Sequence, residues 1–271
     1  TTLNDNCNQN ITQVKKQTMY YPNDIARTTV KETMIYYDVE KAVRGPTKLT
    51  VYDPNDVSLD SLFERIEISL SQMEIKKEDI KKIISSINKT NNLEQALEKA
   101  EFVIEAVPEK LDLKQNIFKE IEKLAPQDCI FASNTSTLPI SELAKASKHP
   151  ENYIGIHFFS PVEKMLLVEI IKGEKTESRA VAKALDFVRQ IKKTPIVVND
   201  ARFFYANRCI IPYLNEGLRM ITEGIPPSII ESAAKQLGFP LGPIQLLDET
   251  SIELGAKIAR ATKTAMGALY P

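Results

Sequence analysis

Phe102-Val-Ile-Glu-Ala-Val107, then Lys110 to Leu124, then Cys129-Ile-Phe-Ala132 is the stretch that decides the fold class. Its first and third segments are short continuous apolar runs, the pattern of strands buried on both faces. Between them Leu113, Ile117, Phe118 and Ile121 recur at three- and four-residue steps, which lines one face of a helix with apolar side chains. The same alternation continues outward. Upstream, Leu49-Thr-Val-Tyr-Asp53 reads as a buried strand closed by the turn Pro54-Asn-Asp56. Leu59, Leu62, Phe63, Ile66, Leu70 and Met73 then predict an amphipathic helix, followed by a Lys- and Glu-rich helix over 77–86 and a short one over 93–100. Downstream come a short helix over 140–146, strands at Tyr153–Phe159 and Leu166–Ile171, a helix over Ser178–Ile191 and a strand at Pro195–Val198. Strands that alternate with helices and are apolar on both faces predict a parallel sheet covered on both sides, a doubly wound α/β domain. After about residue 200 only helical periods remain, over 201–222, 227–237 and 244–265, punctuated by Gly224-Ile-Pro-Pro227 and by Gly238 to Pro243. The expected organisation is an α/β domain over 1–199 and a smaller all-α domain over 200–271. Residues 1–46 are polar, without a clean period, and predict no elements.

Composition narrows the function classes. A chain of 271 residues with 43% hydrophobic and 26% charged residues suits one large or two modest domains. Its formal net charge of −1 offers no field for nucleic acid or an anionic membrane. No apolar run reaches the roughly 18–20 residues of a spanning helix. Cys7, Cys129 and Cys209 are odd in number and far apart, which argues against a disulfide framework or a metal site and for buried thiols in a reducing compartment. Of the nine glycines only Gly45 falls in the first 150 residues, so no glycine-rich phosphate loop can be written.

In open α/β sheets ligands bind beyond the carboxyl ends of the strands, where this chain has Asp53, Glu109, Asn134-Thr-Ser136, His157 with Ser160, and Asn199-Asp200. His157 is one of two histidines and lies near the end of an apolar strand. Glu169, in the next strand, is spaced so that adjacent pairing brings the two together. The pair reads either as a general base with its tautomer set by a carboxylate or as a structural core histidine. His149 reads as a solvent-facing loop residue. Asp53 suits either a ribose diol or a turn before Pro54. Asn134-Thr-Ser-Thr137 is a helix cap or turn, or a set of donors for a substrate hydroxyl or oxyanion. Lys110 and Lys114, on the first turn of a helix, read as solvated charges.

Phe102-Val-Ile-Glu-Ala-Val-Pro-Glu109, Ser133-Asn-Thr-Ser136, Gly155-Ile-His-Phe-Phe-Ser-Pro161, Leu167-Val-Glu-Ile-Ile171 and Pro195-Ile-Val-Val-Asn-Asp200 together resemble the L-3-hydroxyacyl-CoA dehydrogenases. The likeness is greatest to the dehydrogenase part of the multifunctional fatty-acid oxidation enzymes, and it runs from about Leu49 to about residue 260. It implies a Rossmann-like domain followed by a helical one, and oxidation of a 3-hydroxyacyl-CoA to the 3-ketoacyl-CoA with hydride transfer to NAD in β-oxidation. It implies His157 as general base, Glu169 as the carboxylate that orients it, Ser136 at the substrate hydroxyl and Asn207 at the thioester-side oxygen. On the NAD side it implies Asp53 at the adenosine ribose, Glu109, Lys114 and Asn134 near the nicotinamide ribose, and Ser160 where many relatives have Asn. The same likeness implies a homodimer through the helical domain, while the cysteine usage suits a cytoplasmic location, with the mitochondrial matrix as the alternative.

The chain departs from the family pattern in three places. Where relatives have Gly-x-Gly-x-x-Gly it reads Val30-Lys-Glu-Thr-Met-Ile35, with bulky side chains where backbone approaches a pyrophosphate. Phe203 stands where relatives have a glycine, and the chain stops at Pro271, ahead of the family's tail. These departures define the alternative reading, a non-catalytic relative serving as an acyl-CoA-binding or dimerising module. A further reading takes residues 1–46 as foreign to the domain, which leaves a sheet position to be filled.

Overall fold

The computed structural model describes residues 49–72, 75–160, 162, 164–250 and positions 252, 255, 256, 259, 260, 263, 264 and 267. Residues 1–46, with Val30–Ile35 and Cys7, lie outside the described residues. The chain divides into two compact units at Arg202 and Phe203.

In the first unit the order is β1 (Thr50–Tyr52), α1 (Asp56–Gln72), α2 (Lys77–Ser85), β2 (Asn88–Thr90), α3 (Leu93–Leu97), β3 (Phe102–Glu105), α4 (Leu111–Leu124), β4 (Ile130–Ser133), α5 (Ile140–Ala144), β5 (Tyr153–Phe158), β6 (Leu167–Lys172), α6 (Ser178–Gln190) and β7 (Thr194–Asn199). Among the described residues β1 and β2 form a parallel pair, and the other five strands form one sheet in the order β3-β4-β5-β6-β7. The sequence reading is corrected at two points. The sheet is mixed, because β5 and β6 run antiparallel while every other neighbouring pair is parallel. The connection 159–166 is shorter than the dozen or so residues a parallel crossover needs. The second correction is β2, whose three polar residues Asn88-Lys-Thr90 carry no apolar period and were not predicted as a strand.

The second unit contains α7 (Ala206–Thr222), α8 (Pro227–Gln236) and α9 (Pro243–Thr250). Gly224 at φ 88° and Gly238 at φ 93° end α7 and α8 in left-handed residues. Beyond each, the chain folds back through Ile225 N–H to Met220 O and Phe239 N–H to Ala234 O, which satisfies the last helical carbonyls. Glu231 of α8 accepts the Ile244 N–H (2.8 Å), and the Tyr213 hydroxyl of α7 donates to Leu241 O (2.8 Å), so side chains tie the three helices together. At the start of the unit Phe203 and Phe204 adopt φ 69° and 52°. Such backbone costs a bulky residue about 1 kcal/mol or more. Burial of both rings offsets it, at 6% and 2% exposure.

Alternation along the strands gives the five-stranded sheet two different faces. Ile130, Ala132, Ile154, Ile156, Phe158, Val168 and Ile170 form one core with Ala180, Ala184 and Val188 of α6. The residues between them, including Phe131, Ser133, Gly155, His157 and Glu169, face the other way. There Phe118 of α4 packs edge-on against Tyr153 (4.3 Å between ring centroids), and α5 approaches closest at Gly155. A Cβ at Gly155 would lie 2.8 Å from Ile140 Cδ1 and 2.8 Å from Ile171 Cβ. Gly155→Ala is therefore expected to destabilise the first unit by about 1–3 kcal/mol, read as a lower urea midpoint with an unchanged slope; an unaltered midpoint would contradict the packing.

Candidate active site

His157 and Glu169 are direct partners across the antiparallel β5–β6 ladder. Their side chains leave the same face of the sheet and close at 2.7 Å from His157 Nδ1 to Glu169 Oε2. Both are buried, at 5% and 0% side-chain exposure. An ionised carboxylate only accepts hydrogen bonds, so opposite an ionised Glu169 it is Nδ1 that carries a proton. The Phe159 ring lies 4.5 Å from the imidazole, centroid to centroid, and restricts its rotation.

The next layer sits at the ends of β3 and β4. Asn134, one residue past β4, accepts the Phe158 N–H through Oδ1 (3.2 Å), which ties this loop to the strand residue after His157. Glu109 Oε1 receives the Thr135 hydroxyl, the Ser136 N–H (3.0 Å), the Thr137 N–H (3.1 Å) and the Thr137 hydroxyl (3.1 Å). Lys114 is not the solvated charge expected from sequence. It is 1% exposed, with Nζ 2.8 Å from Glu105 Oε1 and 3.4 Å from Glu109 Oε2. Its position on the first turn of α4 points the long side chain under the sheet edge, where two carboxylates repay its desolvation.

The remaining candidates lie on other elements. Asp53 directly follows β1 of the two-stranded sheet, and its Oδ1 accepts the Asn55 N–H (2.8 Å) in a turn leading to α1. Ser160 is exposed in the β5–β6 connection. That connection is held by buried Lys193, whose ammonium donates to Val162 O (2.6 Å) and Met165 O (2.9 Å). Asn207 belongs to the second unit, near the start of α7. Asp200 proves to be a cap, its carboxylate accepting the Ile140 N–H (2.9 Å) and the Ser141 N–H (2.7 Å) at the start of α5. Of the two described cysteines Cys129 is buried, where loss of water pushes its thiol up to about 12, while Cys209 is exposed, contrary to the expectation of a buried thiol. His149 is part-exposed and bonds Glu151 (3.1 Å). Sequence reading missed Glu105 and Ser133, whose only signal was a charge and a hydroxyl closing otherwise apolar strands.

Burial alone would raise the Glu109 carboxyl, but the Lys114 ammonium and the hydrogen bonds from Thr135 and Thr137 outweigh it and hold the group below its ordinary value of 4.5. The ionised form therefore stabilises the fold at neutral pH, and that contribution is lost as pH falls from above 4.5 through the lowered folded-state pKa. Glu109→Gln is expected to lower the urea midpoint at pH 7, with a smaller gap to the unaltered chain at pH 3. A gap of equal size at both pH values would remove the ionised carboxylate from the account.

The sequence matches the NAD binding domain of 3-hydroxyacyl-CoA dehydrogenase over residues 40–201 and the C-terminal domain of 3-hydroxyacyl-CoA dehydrogenase over residues 204–270. The fatty acid oxidation complex subunit alpha of Shewanella sp. (strain MR-7) is 48% identical over 168 residues, which make up 62% of this chain and 24% of that protein. The chain thus spans only that smaller share of its relative's length. Among solved structures, FadB2 of M. tuberculosis is similar with a TM-score of 0.80 at 28% identity, over 88% of this chain and 86% of that one. (S)-3-hydroxybutyryl-CoA dehydrogenase PaaH1 of Ralstonia eutropha is similar with a TM-score of 0.79 at 27% identity, over 86% of this chain and 84% of that one. With the two family domains matched in order along one chain, this protein belongs to the 3-hydroxyacyl-CoA dehydrogenase family.

Proposed function

We propose that the chain oxidises the 3-hydroxyl of an acyl-CoA thioester to the ketone with NAD as hydride acceptor, the dehydrogenation step of fatty-acid β-oxidation. The observation that carries this reading is the buried His157–Glu169 pair on the sheet face beside the loop 134–137. The donor set fits the cofactor on two sides. The half-buried Asp53 carboxylate just past β1 suits the adenosine ribose diol, and the Asn134 side-chain amide with Glu109 Oε2 suits the nicotinamide ribose. NAD, when bound, takes up the hydride from carbon 3. His157 Nε2 accepts the hydroxyl proton as the carbonyl forms, and the positive charge that develops on the ring is stabilised by the Glu169 carboxylate at Nδ1.

In this reading Ser136 holds the substrate oxygen, Asn207 the thioester-side oxygen, and Ser160 lines the cofactor side. Lys114 acts through Glu109, since its ammonium is already committed to carboxylates. The helical unit leaves Ile229, Leu237 and Phe239 exposed at 58%, 80% and 46%, and a second copy packed against that unit would cover them as a homodimer. The free thiols Cys129 and Cys209 support a reducing compartment, the cytoplasm or the mitochondrial matrix. Among the described residues no helix is long and apolar enough to cross a membrane.

NADH consumption with acetoacetyl-CoA tests the reading. The intact chain is expected to turn over, and His157→Ala and Glu169→Gln to lose about 100-fold or more in kcat with KM for acetoacetyl-CoA little changed. A folded intact chain that binds acetoacetyl-CoA without consuming NADH would instead support the non-catalytic binding module. Loss in KM alone for Glu169→Gln would overturn the role assigned to that carboxylate.

A further inference from the structure

Glu105 closes β3 with its side chain 1% exposed, and both of its carboxylate oxygens are bonded. Its Oε1 accepts the Val107 N–H and the Lys114 ammonium (2.8 Å), and its Oε2 accepts the Ser133 hydroxyl (2.7 Å) and Lys114 (3.0 Å). Lys114 also donates to Val107 O (3.2 Å). The Glu105 carbonyl accepts the Asn134 N–H (2.9 Å). One residue therefore bonds the end of β3, the end of β4 and the first turn of α4.

From this anchor two routes lead to the candidate base. Ser133 directly precedes Asn134, whose Oδ1 holds the Phe158 N–H beside His157. Lys114 reaches Glu109, which gathers Thr135, Ser136 and Thr137. We infer that Glu105 is a positioning residue that sets the loop 134–137 against the His157 strand through Ser133 and Lys114. A buried ion pair is poor value for stability alone, because apolar side chains of similar volume hold a fold as well or better. What the pair supplies is one fixed geometry, since each carboxylate oxygen has two partners and loses one if any element shifts.

The inference rests on the dehydrogenase reading for its kinetic consequences but not for its structural ones, and the experiment separates them. Glu105→Gln keeps the shape and removes the charge. Ser133→Ala leaves the ion pair intact and removes only the link to β4, so it remains informative should Glu105→Gln fail to fold. Amide hydrogen exchange is read at Phe158, Ser136 and Thr137, alongside NADH binding by fluorescence titration and steady-state kinetics. Both variants are expected to exchange faster at these three amides than at the core amides of β5, and to lose about tenfold in NADH affinity and kcat, with KM for acetoacetyl-CoA within about twofold of the intact chain. Exchange that rises uniformly across β5, or stays unchanged at Phe158, Ser136 and Thr137, would overturn the positioning role and leave Glu105 a support of general stability. Absence of turnover by the intact chain would sink the dehydrogenase reading, while the exchange pattern would still decide this one.

Discussion

The pairing of β5 with β6 is the constraint on which the site depends. Side chains alternate between the faces of a sheet, so a shift of one residue in this ladder would carry His157 or Glu169 into the apolar core against α6. The correct register is held from both faces. On one, Ile154, Ile156 and Phe158 interdigitate with Val168, Ile170 and the small residues of α6. On the other, Gly155 opposite Ile171 admits Ile140 of α5 so closely that no larger residue fits. The hydrogen bond between imidazole and carboxylate is thus a consequence of packing that would exist without it.

Buried charge is handled in two different ways. His157 and Glu169 face each other directly across one ladder, a pairing fixed by strand register. Glu105 and Lys114 are tied to several elements by hydrogen bonds and suit a fixed scaffold. Lys193 follows the same logic with carbonyl oxygens in place of carboxylates, fixing the connection that turns the chain from β5 into β6. Each of these ammonium groups would be costly if left unpaired, so each marks a place where the backbone around it has little freedom.

The strands and helices were legible because their apolar periods are regular, and the motifs at 102–109, 133–136, 155–161, 167–171 and 195–200 appear in family order. The adjacency of His157 and Glu169 was legible because both lie in consecutive strands joined by a short segment. The three-residue strand β2 was not, since its partner β1 and not its own composition holds it extended. Lys114 was misread as solvated because a lysine on a helix turn looks the same whether or not carboxylates await it. Phe203 was foreseen only as a departure from glycine, and its left-handed backbone and buried ring, both shared by Phe204, are an outcome of packing.

Local patterns along the chain therefore settled the alternation of strand and helix, the passage to an all-helical second unit and the family, because periodicity and motif order are properties of neighbouring residues. Tertiary contact alone decided the burial of Lys114, the capping role of Asp200 and the bonding of Glu105 to Ser133. Each of these joins residues from different elements, and hydrogen bonds of that kind are set by which elements pack together and in what register, for which a linear sequence of residue types has no local signal.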